Sequence, residues 1–348
     1  MKRRTISSAL GLVLTFLLFY GCAPAADGPE AAGAAPAFAA DFLGVYYITQ
    51  ERTVCFLPFS EDKAAGYGHE IGIMSGLSDI TAICAEGGGH IGAVDSKGAY
   101  HTTCDIQPER AEEFVPDGEN IGAGYGQLVS TAQDFAGLSD ISFFRSAYPV
   151  WGLFVHGDGS VTVPGFDENA KKIYGGWANV TQLAGSQDVA ALTAGGTVLC
   201  MPDSPYKSTY ESWTDISALY GDYATGVFAV TNAGDVLFAG ENRWGEGDVD
   251  DWHNIVSVAA APSFTVGLRS DGTVAAAGSN DCGQRDVADW KDIVAVAVSS
   301  SRGLDGETVY TAGLDRDGNL WISGKIQGVS HHGIYMENAA PDHLHLSR

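Results

Sequence analysis

Apolar and polar positions alternate in short runs along most of the chain, and the runs recur in a fixed order. The unit from Trp252 to Asp289, WHNIVSVAAAPSFTVGLRSDGTVAAAGSNDCGQRDVAD, shows the order best. IVSVA alternates with a period of two, TVGL reads as a second strand, and a third begins after the tight turn RSDGTV, so the unit predicts three strands rather than a helix. A similar unit starts at Trp213 and another at Trp290. A unit this small cannot bury its own apolar face, so it has to pack against copies of itself.

Two landmarks place the other copies. An opening of Trp or Leu, any residue, Asp or Asn, then Ile or Val occurs at Leu77-Asp79-Ile80, Leu138-Asp140-Ile141, Trp177-Asn179-Val180, Trp213-Asp215-Ile216, Trp252-Asn254-Ile255 and Trp290-Asp292-Ile293. Asp and Asn suit it because their side chains bond nearby backbone and set a turn. The second landmark is a hairpin turn with Gly98, Gly159, Gly196, Gly234, Gly272 or Gly318, where glycine supplies the positive φ of a two-residue turn. A seventh hairpin, at 49–54, carries Arg52 in that place, so it must use another turn or tolerate strain.

These landmarks predict an all-β, seven-bladed β-propeller built from repeats of about 38 residues, spanning residues 41–335. The first hairpin lacks the Trp-x-Asp-Ile opening. Its inner strand is either PAFAADF (36–42) or a returning piece of the C-terminus such as GIYM (333–336). Residues 336–348 read as a polar tail. A D-I-x-x-V strand, a DGTV hairpin and a G-x-N-x-x-G-Q loop together resemble the regulator of chromosome condensation family. The resemblance covers roughly residues 43–328 and is strongest from 213 to 324. It implies the seven-bladed fold, and the short period is more similar to secreted bacterial members, one of which inhibits a β-lactamase. The nucleotide exchange of the name-giving member is not implied, because no exchange residue matches by position and the leader points out of the cell.

That leader begins with Lys2, Arg3 and Arg4 and continues in an apolar run, Ala9 to Tyr20, too short to span a bilayer as a helix. It ends Phe19-Tyr20-Gly21-Cys22, which resembles a bacterial lipobox and implies cleavage after residue 21 and lipidation of Cys22. Residues 22–40, rich in Ala, Pro and Gly, read as a tether; the 18 from Ala23 to Ala40 reach about 60 Å when extended. The protein is thus expected to be exported and to meet the membrane only through its anchor. Glycine makes up 45 of 348 residues, nearly twice the usual share of roughly 7%, as many tight turns require. The net charge of −24 becomes more negative once the leader's three cations are removed, which argues against nucleic-acid partners.

No G-x-S-x-G, H-E-x-x-H, phosphate-binding loop or C-x-x-C occurs, and no catalytic residue, metal or cofactor is assigned. Cys84 and Cys104 form the one pair worth testing for a disulfide. Asp315-Arg316-Asp317-Gly318 echoes a calcium loop but falls on a hairpin turn, and His331-His332 and His343-x-His345 are metal candidates only by composition. The segments joining the blades are freer to carry function than the strands. They place aromatics among acids at Phe166, Tyr174, Tyr206, Tyr210 and Trp244, which suit a protein interface and also sugar stacking. The expected function is non-catalytic binding of a protein by a monomeric propeller. The alternatives are inhibition of an extracellular enzyme and a carbohydrate-active enzyme with two carboxylates converging at the propeller mouth. Metabolic labelling with a fatty acid should mark the wild-type chain and miss Cys22→Ala; label on both would contradict the anchor.

Overall fold

The computed structural model describes residues 20–21, 38–49, 51–60, 68–87, 90–103, 135, 138–147, 151–164, 168–185, 188–221, 226–303 and 306–336. Tyr20–Gly21 forms β1, a two-residue strand beside Val298 and Ser299. The rest of the β-structure is seven antiparallel sheets in chain order. The first holds β2 (Phe38–Ala40), β3 (Gly44–Ile48) and β4 (Val54–Pro58). The second holds β5 (Ile80–Gly87), β6 (His90–Asp95) and β7 (Tyr100–Thr102). The third holds β8 (Ile141–Ala147), β9 (Trp151–His156) and β10 (Val161–Thr162), and the fourth β11 (Val180–Ala184), β12 (Ala190–Thr193) and β13 (Val198–Cys200). The fifth holds β14 (Ile216–Gly221), β15 (Gly226–Thr231) and β16 (Val236–Gly240), and the sixth β17 (Ile255–Ala261), β18 (Phe264–Arg269) and β19 (Val274–Gly278). The seventh has β20 (Ile293–Gly303), β21 (Gly306–Asp315), β22 (Leu320–Ile326) and a further outer strand, β23 (Val329–Met336).

The first strands of the seven sheets touch in sequence, β2 to β5, β8, β11, β14, β17 and β20, and β20 touches β2 again. The sheets are therefore the blades of a closed ring, the seven-bladed arrangement that the repeats predict. Apolar clusters lie between blades, as where Phe228 and Val230 of blade 5 meet Val258 and Ala260 of blade 6. No blade has a core of its own to fall back on.

One junction recurs between blades. The first apolar residue of each new blade donates its N–H to the carbonyl of the preceding hairpin turn: Ile80 to Arg52, Ile141 to Gly98, Val180 to Gly159, Ile216 to Gly196, Ile255 to Gly234 and Ile293 to Gly272, at 2.8–3.1 Å. The Asp or Asn just before it is left-handed at all six openings, with φ between 56° and 61° (Asp79, Asp140, Asn179, Asp215, Asn254 and Asp292). Asp and Asn tolerate that region better than other non-glycine residues. Their role is thus conformational, more than the side-chain turn bond their chemistry suggests. Arg52 is left-handed too, at φ 58°, so the first hairpin takes the strained option.

At Gly98 the turn glycine is required twice over. Its φ is 75°, and a Cβ would lie 2.6 Å from the Ile141 nitrogen and 2.7 Å from the Asp140 Cα. Both are backbone atoms of the next blade and cannot yield cheaply. The tryptophans of the openings use glycine in the same way: a Cβ on Gly267 or Gly313 would strike the ring of Trp252 or Trp290 at 2.6 Å.

The ring closes through side chains, because blade 1 has no Asp-Ile opening. Of the two candidate inner strands, the N-terminal one is used: Phe38, Ala39 and Ala40 pair with β3 and are fully buried. Residues 38–40, read from the sequence as the end of a tether, are therefore part of the propeller, since burying one phenylalanine stabilises by about 1.5–3 kcal/mol. GIYM (333–336) lies instead on the outer edge of blade 7 in β23, which runs to Met336, one residue into the segment read as tail. Phe38, Val45 and Tyr47 pack with Val294, Tyr310 and Leu314 across the seam. The buried Tyr310 hydroxyl donates to the Asp41 carbonyl at 2.6 Å.

Among the described residues, three short helices, absent from the sequence expectation, lie in the connections before Leu77, Trp177 and Trp213: α1 (Gly68–Ser75), α2 (Glu168–Tyr174) and α3 (Lys207–Ser212). Gly98→Ala should lower the thermal unfolding midpoint more than Gly328→Ala does. Both add left-handed strain, about 1–2 kcal/mol, but Gly328, at φ 78°, has nothing within 4 Å of its Cβ position. Equal losses, read by differential scanning calorimetry, would contradict the junction.

Candidate partner-binding rim

Each connection leaves the end of a third strand and runs back to the next opening. Three residues before every opening Trp or Leu stands a buried apolar side chain: Met74, Phe135, Tyr174, Tyr210, Val249 and Val287. In five of the six the opening residue donates its N–H to that residue's carbonyl, as Trp177 does to Tyr174 and Trp290 does to Val287. The position anchors the connection in the core.

Two of the proposed contact aromatics occupy it and are corrected here. Tyr174 is buried and meets Trp177 edge to face at 4.9 Å; Tyr210 is fully buried and meets Trp213 in the same way at 5.2 Å. Neither presents its ring to solvent. Phe166 and Cys22 lie outside the described residues, as does Cys104, so the Cys84–Cys104 pairing is not described.

Trp244 behaves differently. It is 60% exposed at the tip of the connection 240–249. The loop beneath it is over-determined by hydrogen bonds. Glu246, only 1% exposed, accepts the N–H of Arg243 at 3.2 Å and of Trp244 at 2.6 Å. Asn242 donates to Asp248 at 2.7 Å and accepts from the Gly247 N–H at 2.8 Å. Gly245 makes the turn at φ 81°. The next connection repeats this frame, with Asn280 on Asp286, Gln284 accepting from Cys282 and Gly283 at φ 80°. There the tip residue is Cys282, buried in the cluster with Trp290 and Ile293. A thiol fits under the frame; an indole is too large and stands outside.

The neighbouring connection brings Tyr206, half-buried, whose ring packs edge-on to Tyr210 at 6.4 Å. Burial raises the pKa of its hydroxyl, and the carboxylates of Glu241 and Asp188 raise it further. Glu241 belongs to the Trp244 loop, so the two connections share one acidic neighbourhood. Asp188 accepts from Ser204 at 2.8 Å and from the Tyr210 hydroxyl at 3.0 Å. Desolvation nonetheless holds its carboxyl above the usual range, against those two bonds and with help from Asp203. Of the five aromatics, then, Tyr206 and Trp244 are brought to adjacent connections with faces that a partner can reach.

Among the described residues, no group of three or more His, Cys, Asp or Glu is placed to hold a metal. His331 and His332, adjacent on a strand, have different partners: His331 meets Tyr335 edge to face at 5.1 Å, and His332 lies 3.5 Å from Asp289. The Asp315 carboxylate is occupied by the N–H groups of Asp317 and Asn319 and by the Trp321 indole N–H, so that segment is a hairpin turn. His343 and His345 lie outside the described residues.

Comparison with known proteins bears on the repeat. Residues 255–284 match the regulator of chromosome condensation (RCC1) repeat. No curated protein matches the chain. Among solved structures, the chain is similar to Prp20p from Saccharomyces cerevisiae, a structure described together with binding to Gsp1p and histones. The identity is 15%, covering 97% of this chain and 88% of that one, with a TM-score of 0.42. It is also similar to yeast RCC1 (Prp20) bound to Kap60, at 14% identity, covering 100% and 89%, with a TM-score of 0.42.

Asp188 supplies a test of the rim's architecture. Because its folded pKa is raised, its contribution is fully present below the unfolded value, about 3.9, and is lost as pH rises through the folded value. Asp188→Asn cannot ionise. Its thermal midpoint should therefore gain on wild type as pH climbs from about 3.5 to 7; a difference that stays flat with pH would contradict the assignment.

Proposed function

We propose that this chain of RCC1-type repeats is an exported, lipid-anchored protein whose propeller binds a protein partner through the rim formed by Trp244 and Tyr206, without turnover. The leader, the Gly21-Cys22 junction and the tether support the location. The observation that carries the binding role is Trp244, a large apolar ring 60% exposed on a loop fixed by a buried carboxylate. A flexible exposed tryptophan would lose entropy on binding; one held by its own loop loses less. Tryptophan and tyrosine are the side chains that most often dominate protein interfaces. The neighbours' recorded partners, Gsp1p, histones and Kap60, are proteins as well.

The test is capture of partners from an extract of the source cells with the soluble chain from Ala23, identified by mass spectrometry. A body starting at residue 41 would lack the inner strand Phe38–Ala40 and is unsuitable. Trp244→Ala should weaken the captured complex about 30-fold, as loss of a hot spot worth roughly 2 kcal/mol does, and Tyr206→Ala should weaken it less. Phe144→Leu, altered only in the core between blades 2 and 3, should leave it unchanged. Capture of a glycan in place of a protein, or a complex indifferent to Trp244, would overturn the proposal.

A further inference from the structure

The chemistry of the partner can be read one step further, on the premise that Trp244 is the contact. Exposed carboxylates lie close to the indole in sequence: Glu241, Asp248, Asp250 and Asp251 are all within seven residues of it, Glu241 paired with Arg243 and Asp248 accepting from Asn242. The cations near the rim are already engaged. Arg243 pairs with Glu241, two residues away, and Lys207 on the neighbouring connection pairs with Glu211. Glu246 is turned inward and spent on backbone N–H groups. What remains outward is an aromatic face and an excess of negative charge, on a molecule whose net charge is −24. Burial is the main cause of the raised hydroxyl pKa of Tyr206, and the carboxylates of Glu241 and Asp188 add to it, so the second aromatic stands in the same acidic neighbourhood.

We infer that the rim takes a basic side chain of the partner, an arginine or a lysine, laid over the Trp244 indole and flanked by the loop's carboxylates. A cation over an indole is attracted by the negative face of the ring, and flanking carboxylates add steering at long range. An acidic or purely apolar contact residue would meet repulsion or leave the carboxylates without a counter-charge. Arg243 does not fill this role itself, because its ion pair with Glu241 commits it within the loop.

The probes are two short peptides, acetyl-Ser-Gly-Arg-Gly-Ser-amide and the same peptide with citrulline, the neutral isostere of arginine. They are titrated into the soluble chain from Ala23 while the indole N–H resonances are followed by NMR. The Trp244 resonance is identified by its disappearance in Trp244→Phe. The arginine peptide should move that resonance and bind about three- to five-fold more tightly than the citrulline peptide, the size of an exposed cation–π contact. Asp250→Asn combined with Asp251→Asn, and separately 0.5 M salt, chosen at about three times physiological ionic strength, should narrow the gap. Equal binding of the two peptides, or shifts confined to other tryptophans, would overturn the inference. If the captured partner still depends on Trp244 while the peptides bind equally, the basic contact falls and the rim stands. If neither responds to Trp244, both fall.

Discussion

The structure depends on one backbone contact repeated around the ring. A hairpin turn closes tightly enough to offer its carbonyl to the first N–H of the next blade, and the chain enters that contact through a left-handed Asp or Asn. The bond itself is ordinary. What gives it authority is the closeness of the two backbones: at Gly98 not even a methyl group fits between them. The spacing and tilt of successive blades are thus set at one end of each sheet, and the apolar faces between blades pack at the distance this imposes. Because the clusters lie between sheets, a fault at one junction is felt by two blades.

Closure is the exception to the rule and has its own chemistry. Seven blades need seven interfaces, yet only six openings exist. At the seventh, Phe38 and two alanines take the innermost position, and Tyr310 reaches across to the Asp41 carbonyl. The first and last blades of the fold are thereby brought into contact.

Much of this was legible because the signals are local. An Asp or Asn before Ile, a turn glycine and a Trp all act within one repeat, and comparing copies separates them from noise. Arg52 illustrates the limit: sequence shows that glycine is missing, while the surrounding hairpin decides that strain is accepted. The strand Phe38–Ala40 was half hidden because three residues with one large side chain resemble the Ala-Pro tether before them. The helices Glu168–Tyr174 and Lys207–Ser212 are too short and polar to show a period of 3.6. The core role of Tyr174 and Tyr210 has a local signal in the sequence. Counting back three residues from the opening tryptophans aligns them with Val249 and Val287, positions where a core role is plain. The exposure of Trp244 could not be obtained that way, since the equivalent Cys282 is buried; only side-chain volume against a fixed loop separates the two.

The central claim is that the seven blades form one ring, sealed at the seam between the first and the last. Native-state hydrogen exchange followed by mass spectrometry tests it directly, because amides in β3 of blade 1 and β21 of blade 7 are reported separately from those of blades 5 and 6. The account predicts that a single substitution at the seam, Tyr310→Phe, speeds exchange in both terminal blades together while the middle blades change less. Acceleration confined to blade 7, with β3 protected as in wild type, would mean that the two blades do not hold each other and would contradict the closed ring.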